Sequence, residues 1–383
     1  MKIFMITSVP LSPPWDQGDK NLAYALTRAL PGIQYRVLTQ RESPQPSGSN
    51  LITEPFYWSR KPSLAQKAYI FGRLLSQSSA STSTNGNSKV DLYHLVYRPY
   101  LLSSRLFKWL PDFRHIPTVH TIPATTTPNQ LKRELFFARR NVVLSQYGYR
   151  RLTELGLDNV TYIPPGIPMD EWSLSNEQSV RYKHQLELTG HPVVLFPGHY
   201  GAGMGADMMR QAMPELVRNV PQVIVIFACR HRTANDRQKE LAMKDELRQL
   251  GLLNSARFYT IHADMKALIG ASDLVALPLT NFKDKLDIPT TLLEFMAMGK
   301  PVVITDLPPM NEILISESGG SSEIGLAVPP ADSKALAQSL IHLLQDKNLS
   351  QRFGMCGYEF VRDRFDIVQA AKKYESLYQE LTN

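Results

Sequence analysis

The sequence predicts an α/β chain of two doubly wound domains facing each other across a cleft. Three observations predict it. Short apolar, β-branched runs alternate with helix-period segments along the whole chain, as in parallel sheets covered on both faces. The length of 383 residues suits two domains. A polar stretch, Pro168 to Ser179, supplies the linker between them.

In the first half, KIFMITSVP reads as a strand, LSPPWDQGDK as a loop, NLAYALTRAL as a helix and YRVLTQ as a second strand. Two turn-rich stretches follow, RESPQPSGSN and SQSSASTSTNGNSK; the second has no means of burying a core. DLYHLVY, IPTVHT, NVVLSQ and NVTYIPPG read as further strands between helices. The second half repeats the style. PVVLFPG, QVIVIFAC, ARFYT, DLVALPL, PVVIT and GLAVPP read as strands. ADMMRQAMPELVRN, QKELAMKDELRQLG, DMKALIGA, SKALAQSLIHLLQD, LSQRFGMCGYEFVRDRF and DIVQAAKKYESLYQELT read as helices. In sheets of this kind ligands bind beyond the carboxyl ends of the strands, and pockets favour domain interfaces.

Composition narrows the function classes. A hydrophobic fraction of 43% and a charged fraction of 20% describe an ordinary globular chain. No apolar run approaches the roughly 20 residues a bilayer span needs. The start, MKIFMITSVPLSPPW, reads as a first strand rather than a signal peptide. Cys229 and Cys356 make neither a disulfide framework nor a metal site, so a cytoplasmic location is the expectation. The net charge of +7 is uneven: residues 1–180 carry +8 and the remainder −1. That suits an anionic acceptor or the inner face of a membrane. Two basic and apolar segments, Lys61–Gln77 and Leu131–Arg140, fit either membrane-surface amphipathic helices or surface helices packed on a sheet. No nucleic-acid-binding motif is present, so nucleic acid is not an expected partner.

The most informative stretch is DKLDIPTTLLEFMAMGKPVVITD, Asp284 to Asp306. Pro289 suits a helix start, Gly299 a helix end, and PVVIT a buried strand. The helix between is apolar almost all round, yet it carries Glu294. A helix start offers N–H groups, here those of Thr290 and Thr291, to an anion. A carboxylate one turn deeper can accept two hydrogen bonds from a diol. Phosphate plus ribose diol is a nucleotide. The bland alternative is a structural Glu294 satisfied by backbone. A second motif, GAGMGA (Gly201 to Ala206), fits the dinucleotide fingerprint and opens an NADP oxidoreductase alternative. However, Cys229 and Arg230 stand where the fingerprint's acidic residue belongs.

The order PVVLFPG…GADMM, ASDLVALPL, DIPTTLLEFMAMGKPVV, GLAVPPAD resembles glycosyltransferase family 4, and the likeness spans nearly the whole chain. These are retaining sugar-nucleotide enzymes with two Rossmann-like domains, the GT-B fold. The resemblance implies domains at 1–175 and 176–362. Residues 363–383 would form a helix crossing back to the first domain through Tyr374, Tyr378 and Leu381. It implies a nucleoside diphosphate sugar as donor, a hydroxyl acceptor, and no metal or other cofactor. Glu294 matches the second Glu of the family's E-x7-E motif, which holds the donor ribose. The first falls at Leu286, and Asp287 is the nearest acid, either meeting sugar hydroxyls from a shifted loop or capping the helix. The N–H groups of Thr290 and Thr291 match diphosphate contacts. His120, placed in a loop at the end of the strand IPTVH, matches a His that positions the donor sugar; local backbone satisfaction is the alternative. Gly18 matches the glycine beside the donor phosphates, or serves a turn, with Asp16 and Asp19 flanking it. Gly198-His199 and Met204-Gly205 replace the family's Gly-Arg and Lys-Gly, so both strong cations are missing. Arg230, Arg232, Lys283, Lys285 or a protonated His199 are the candidates to replace them. Backbone around Thr260 to His262 would read the base. The missing groups also leave open a non-catalytic nucleotide- or glycan-binding member of the family.

Overall fold

The structure is a computed structural model. It describes residues 1–15, 17–59, 63, 65–66, 90–109, 115–126, 131–203, 205–231, 233–260, 264–282, 285–314 and 323–383. The chain divides into two units. The first holds Met1–Pro168, Asp284–Thr290 and Phe365–Asn383; the second holds Met169–Lys283 and Thr291–Arg364. The expected boundaries therefore shift at Met169 and Phe365. One short segment from mid-chain also joins the first unit, which contiguous boundaries did not foresee.

The first unit is built on a seven-stranded parallel sheet, ordered β3-β2-β1-β4-β5-β6-β7. Its strands are β1 (Lys2–Thr7), β2 (Gln34–Gln40), β3 (Leu51–Tyr57), β4 (Leu92–Val96), β5 (Thr118–Ile122), β6 (Arg140–Val143) and β7 (Val160–Tyr162). The central β4 and β5 are buried at every position, as the unbroken apolar runs require. The edge strand β3 was not legible. Its sequence, LITEPFY, contains Pro55 and buries only Phe56 and Tyr57, a pattern that sheets tolerate at an edge.

The C-terminal helix Ile367–Thr382 packs into this unit. Ala370, Ala371, Tyr374, Leu377, Tyr378 and Leu381 share a core with Ile3, Met5, Tyr35 and Val37. A buried polar chain fixes its register. Tyr378 Oη lies 2.8 Å from His94 Nδ1, His94 Nε2 lies 2.8 Å from Thr121 Oγ1, and that oxygen lies 2.8 Å from Tyr374 Oη. Burial pulls the His94 pKa down to about 3, so its ring is neutral and accepts at one nitrogen while donating at the other.

The second unit carries a six-stranded parallel sheet, ordered β10-β9-β8-β11-β12-β13. Its strands are β8 (Val193–His199), β9 (Ile224–Arg230), β10 (Ala256–Tyr259), β11 (Leu274–Leu277), β12 (Val302–Thr305) and β13 (Gly325–Val328). Phe196, Phe227, Met209, Met213, Leu216, Leu336 and Leu340 lie in one core between the sheet and the helices Ala206–Asn219 and Ser333–Gln345. The stretch expected as linker contains a helix, Asn176–Gln185, started by a capping box between Ser175 and Gln178.

Of the two segments proposed for a membrane surface, Lys61–Gln77 lies largely outside the described residues. Leu131–Arg140 is no amphipathic helix. It forms only a 3-10 turn, Arg133–Leu135, before β6 begins. Leu135 and Phe136 are buried in a core with Ile122, Val143 and Leu152, and Phe137 stacks on Phe107. Its apolar side chains are thus already taken up. Among the described residues, no helix is long and apolar enough to cross a membrane.

Tyr378→Phe leaves His94 Nδ1 buried without its partner. It should cost about 1–3 kcal/mol in a denaturant titration and raise amide exchange in the last helix before the rest of the unit.

Candidate functional site

All strands in the second unit run parallel, and their order reverses between β8 and β11. Sheets of this kind bind ligands at such a reversal, beyond the strand carboxyl ends. Local geometry shapes the loops there. After β8 the chain turns through Gly203 and Gly205, both with positive φ (75° and 93°), before the helix Ala206–Asn219 starts. A side chain at Gly205 would stand 3.0 Å from the Pro278 carbonyl, so only glycine allows this approach. Thr280 N–H donates to the Gly203 carbonyl at 2.8 Å and ties the β11 loop to the β8 loop. These glycines belong to the motif that suggested a dinucleotide site; here they serve the turn between β8 and its helix.

The helix Thr290–Ala297 follows β11. Leu292, Leu293, Phe295, Met296 and Ala297 are buried, and Gly299 ends the helix at φ 66°. Glu294 is half-buried, and among the described residues its carboxylate has no hydrogen-bond or ion-pair partner. It keeps some access to solvent, yet dense protein around it pushes its pKa up to about 7. Desolvation is the only cause. One turn earlier, the N–H groups of Thr290 and Thr291 find no backbone acceptor among the described residues, as expected at a helix start. Glu294 is therefore not the backbone-satisfied structural acid that was the alternative.

Gly198 and His199 form the end of β8 and pair with Cys229 and Arg230 on β9. His199 is buried, and its Nδ1 accepts the Gly201 N–H at 3.1 Å. That bond needs a lone pair on Nδ1, so it favours neutral imidazole over the protonated form considered for diphosphate binding. Arg230 is half-buried at the same strand ends and keeps its charge at any working pH. Arg232, Lys283, Asp16, Ile261 and His262 lie outside the described residues.

The remaining candidates belong to the first unit. Gly18 opens the helix Gly18–Ala29 after β1, the strand at which that sheet's order reverses. A Cβ there would stand 2.8 Å from Leu286 Cδ1 and 3.7 Å from Thr290 Oγ1. Gly18 and the start of the Glu294 helix are thus neighbours, although its glycine has no positive φ and serves close approach, not a turn. Lys285 is half-buried, and its carbonyl accepts from the Arg98 guanidinium at 2.7 Å.

Two expectations need correction. His120 sits within β5, because Thr121 and Ile122 extend the strand beyond it. It is fully buried, with Nε2 3.0 Å from the Tyr97 carbonyl and rings of Tyr97 and Phe137 beside it. Burial pulls its pKa down to about 4. It is a core histidine, not a loop residue at the strand's end. Asp287 neither caps the helix nor faces outward. It is fully buried and accepts from Thr125 N–H (2.7 Å), Thr125 Oγ1 (2.6 Å) and Ser145 Oγ (2.7 Å). Burial raises its pKa, while the Thr125 and Ser145 bonds and Arg98 oppose the rise.

The sequence reading missed Lys20. It is buried in the first turn of the helix that Gly18 opens, and its amine donates to the carbonyls of Ser12 (2.8 Å) and Pro14 (2.7 Å), holding the first loop in place. Burial lowers its pKa to about 8. The signal was a lysine on the apolar face of a helix.

Because the carboxyl of Glu294 is protonated more readily in the folded chain, folding favours its neutral form. The contribution is present below about pH 4.5 and is lost as pH rises through about 7. Glu294→Gln should therefore match the wild type in acid and become the more stable of the two by pH 8, as read from denaturant midpoints across pH 5–8.

Residues 191–346 match the family model described as Glycosyl transferases group 1. The chain is 28% identical over 234 residues to the phosphatidyl-myo-inositol mannosyltransferase of Mycobacterium leprae (strain TN), covering 60% of this chain and 55% of that protein. It is 24% identical over 197 residues to the alpha-D-kanosaminyltransferase of Streptomyces kanamyceticus, covering 51% and 47%. It thus spans about half the length of the curated relatives it matches. Among solved structures, Anabaena HepE in complex with UDP-glucose has a TM-score of 0.76 at 17% identity, covering 99% of this chain and 100% of that one. Sucrose-phosphate synthase from Thermosynechococcus elongatus reaches 0.75 at 18%, covering 100% and 99%. At these identities the structural likeness speaks for the fold alone. With the group 1 match filling most of the second unit and two parallel, doubly wound sheets behind the motif order, the chain has the GT-B fold and, over residues 191–346, is similar to the Glycosyl transferases group 1 family.

Proposed function

We propose that this chain is a retaining glycosyltransferase that moves a sugar from a nucleoside diphosphate sugar to a hydroxyl acceptor. The observation that carries the reading is Glu294, a carboxylate among apolar neighbours with no protein partner among the described residues, one turn below free helix-start N–H groups. Leaving a carboxyl in that state costs free energy unless a ligand recovers it. A ribose diol donates two hydrogen bonds to the carboxylate, and the diphosphate accepts from the amides of Thr290 and Thr291. Arg230 and Lys285 are, among the described residues, the candidate counter-charges for the leaving diphosphate. The acceptor oxygen bonds to the anomeric carbon on the face the diphosphate leaves, the carbon–phosphate oxygen bond breaks, and the acceptor's proton passes to the departing phosphate oxygen. No metal or further cofactor enters this scheme.

The relatives' names speak of a mannosyltransferase and a kanosaminyltransferase, and the Anabaena neighbour was solved with UDP-glucose. Those names choose the first probes. A thermal-shift screen with UDP-, GDP-, ADP- and dTDP-sugars should raise the melting temperature for at least one base. No shift with any of them, at millimolar concentration, sinks the reading. Glu294→Ala should weaken the best donor about 10- to 100-fold, the loss of two charge-assisted hydrogen bonds, with unchanged affinity removing Glu294 from the site.

Donor binding also sets the charge of Glu294. Only the carboxylate accepts both diol protons, so affinity should fall roughly tenfold per unit as pH drops below about 7. Titration calorimetry at pH 5.5, 6.5 and 7.5 reads this, and Glu294→Gln should flatten the profile.

A peripheral association with an anionic membrane face of the cell's interior belongs to the same proposal. It is supported by the +8 first half and by the helix Leu101–Trp109 of the first unit. There Leu102 and Trp109 are 67% and 79% exposed beside Arg105 and Lys108. The second reading is a binding member of the family without catalysis. Leu286 in place of the first motif acid and a His199 that favours the neutral form speak for it, and donor hydrolysis or transfer by the purified protein decides between the two.

A further inference from the structure

We propose that Asp287 is a latch that sets the start of the donor-binding helix by fastening the segment before it into the first unit. The inference rests on the proposed donor site and assigns a positioning residue to it. Three kinds of contact converge on residues 285–290. The Asp287 carboxylate takes three hydrogen bonds, two at Oδ2 from the hydroxyls of Thr125 and Ser145 and one at Oδ1 from the Thr125 N–H. The Asp287 N–H donates to the Pro123 carbonyl at 3.0 Å. Arg98 holds the Lys285 carbonyl at 2.7 Å, and Leu286 packs beside Gly18 with Leu22 and Leu144.

The donors are themselves fixed. Ser145 caps the helix Gln146–Glu154 by accepting the Gly148 N–H at 2.8 Å, which leaves its hydroxyl proton for Asp287. A Cβ at Gly148 would stand 3.0 Å from both Ser145 Oγ and the Thr125 side chain, so glycine there lets the cap and the latch approach. The Thr125 carbonyl is in turn held by Arg151. Asp287 is therefore the acceptor on which two rigid loop positions, after β5 and after β6, close.

Three residues further on the donor helix begins. Its first residue, Thr290, still belongs to the first unit, whereas Thr291 and Glu294 belong to the second. Where the helix starts, at Thr290, is set by the segment that Asp287 fastens. The carboxylate at 287 therefore organises the loop and does not stand in for an acid at 286.

The test combines hydrogen exchange with donor binding in the full chain, using Asp287→Ala to break the latch and Asp287→Asn, which keeps the Oδ1 acceptor, to restore part of it. Exchange of the Asp287 amide, bonded to the Pro123 carbonyl, and of the helix amides 294–298 should rise about tenfold in the Ala variant while β1 and β4 stay unchanged. Affinity for the donor that shifts the wild type most in the four-base panel should fall about tenfold, with turnover at saturating donor within threefold of wild type and Asn intermediate. Should Asp287→Ala fail to fold, Thr125→Val removes a single hydroxyl and should show the same pattern at smaller size. Unchanged exchange at Asp287 and 294–298, an equal rise through β1 and β4, or unaltered donor affinity each overturns the latch. If the wild type binds none of the four donors, the functional reading fails by itself, and the exchange data still decide whether Asp287 fastens the segment.

Discussion

Every strand in both sheets runs parallel, and this constraint arranges the rest of the structure. Parallel strands need crossover helices, so both faces are covered and the strand carboxyl ends gather at one edge of each sheet. Strand order reverses once in each sheet, between β1 and β4 and between β8 and β11. The loops at those reversals carry Gly18, Gly203, Gly205 and the approach to the Thr290 helix. Chemistry-bearing residues collect there because the backbone leaves room nowhere else along a covered sheet.

Much of this was legible because buried parallel strands write themselves as continuous apolar runs. PVVLFPG, QVIVIFAC and PVVIT could hardly be anything else. The C-terminal helix was legible through Tyr374, Tyr378 and Leu381 at helical spacing, all buried in the first unit's core. The edge strand β3 was not, since an edge relaxes the demands that make a strand recognisable. The helix Asn176–Gln185 was hidden because its residues are polar on every side and none is buried. Its capping box was the available signal.

Within the candidate site, the residues most legible in the sequence are those whose surroundings follow from local structure. A carboxylate inside an apolar helix is anomalous in one dimension as well as three, and Glu294 stood out. Residues whose role depends on partners far along the chain were misread. His120 was placed in a loop because the strand was ended two residues too soon, whereas the β-branched Thr121 and Ile122 continue it. Asp287 was given a ligand or a cap, the two local options for an acid near a helix start. Its actual donors, Thr125 and Ser145, are 162 and 142 residues away along the chain, and no spacing rule connects them.

Asp287 and Glu294 together show what burial alone does not decide. Both carboxyls have raised pKa values, and in both desolvation is the largest cause. For Asp287, three donors offset the cost of burial, and a satisfied buried acid is structure. For Glu294 no protein donor among the described residues offsets it, and the group keeps access to solvent on one side. An acid left in that condition destabilises its own fold, and nothing in the packing of Leu292, Leu293, Phe295 and Met296 requires a carboxyl at that position. A glutamine or methionine would fill the same volume at lower cost. The unoccupied acceptors of Glu294 therefore call for a ligand that donates two hydrogen bonds at the spacing of a diol. The acceptors of Asp287 are filled from the loops it joins. Sorting buried acids by whether their acceptors are occupied, rather than by how deep they lie, separates Glu294, proposed to meet the donor, from Asp287, whose acceptors are filled by Thr125 and Ser145.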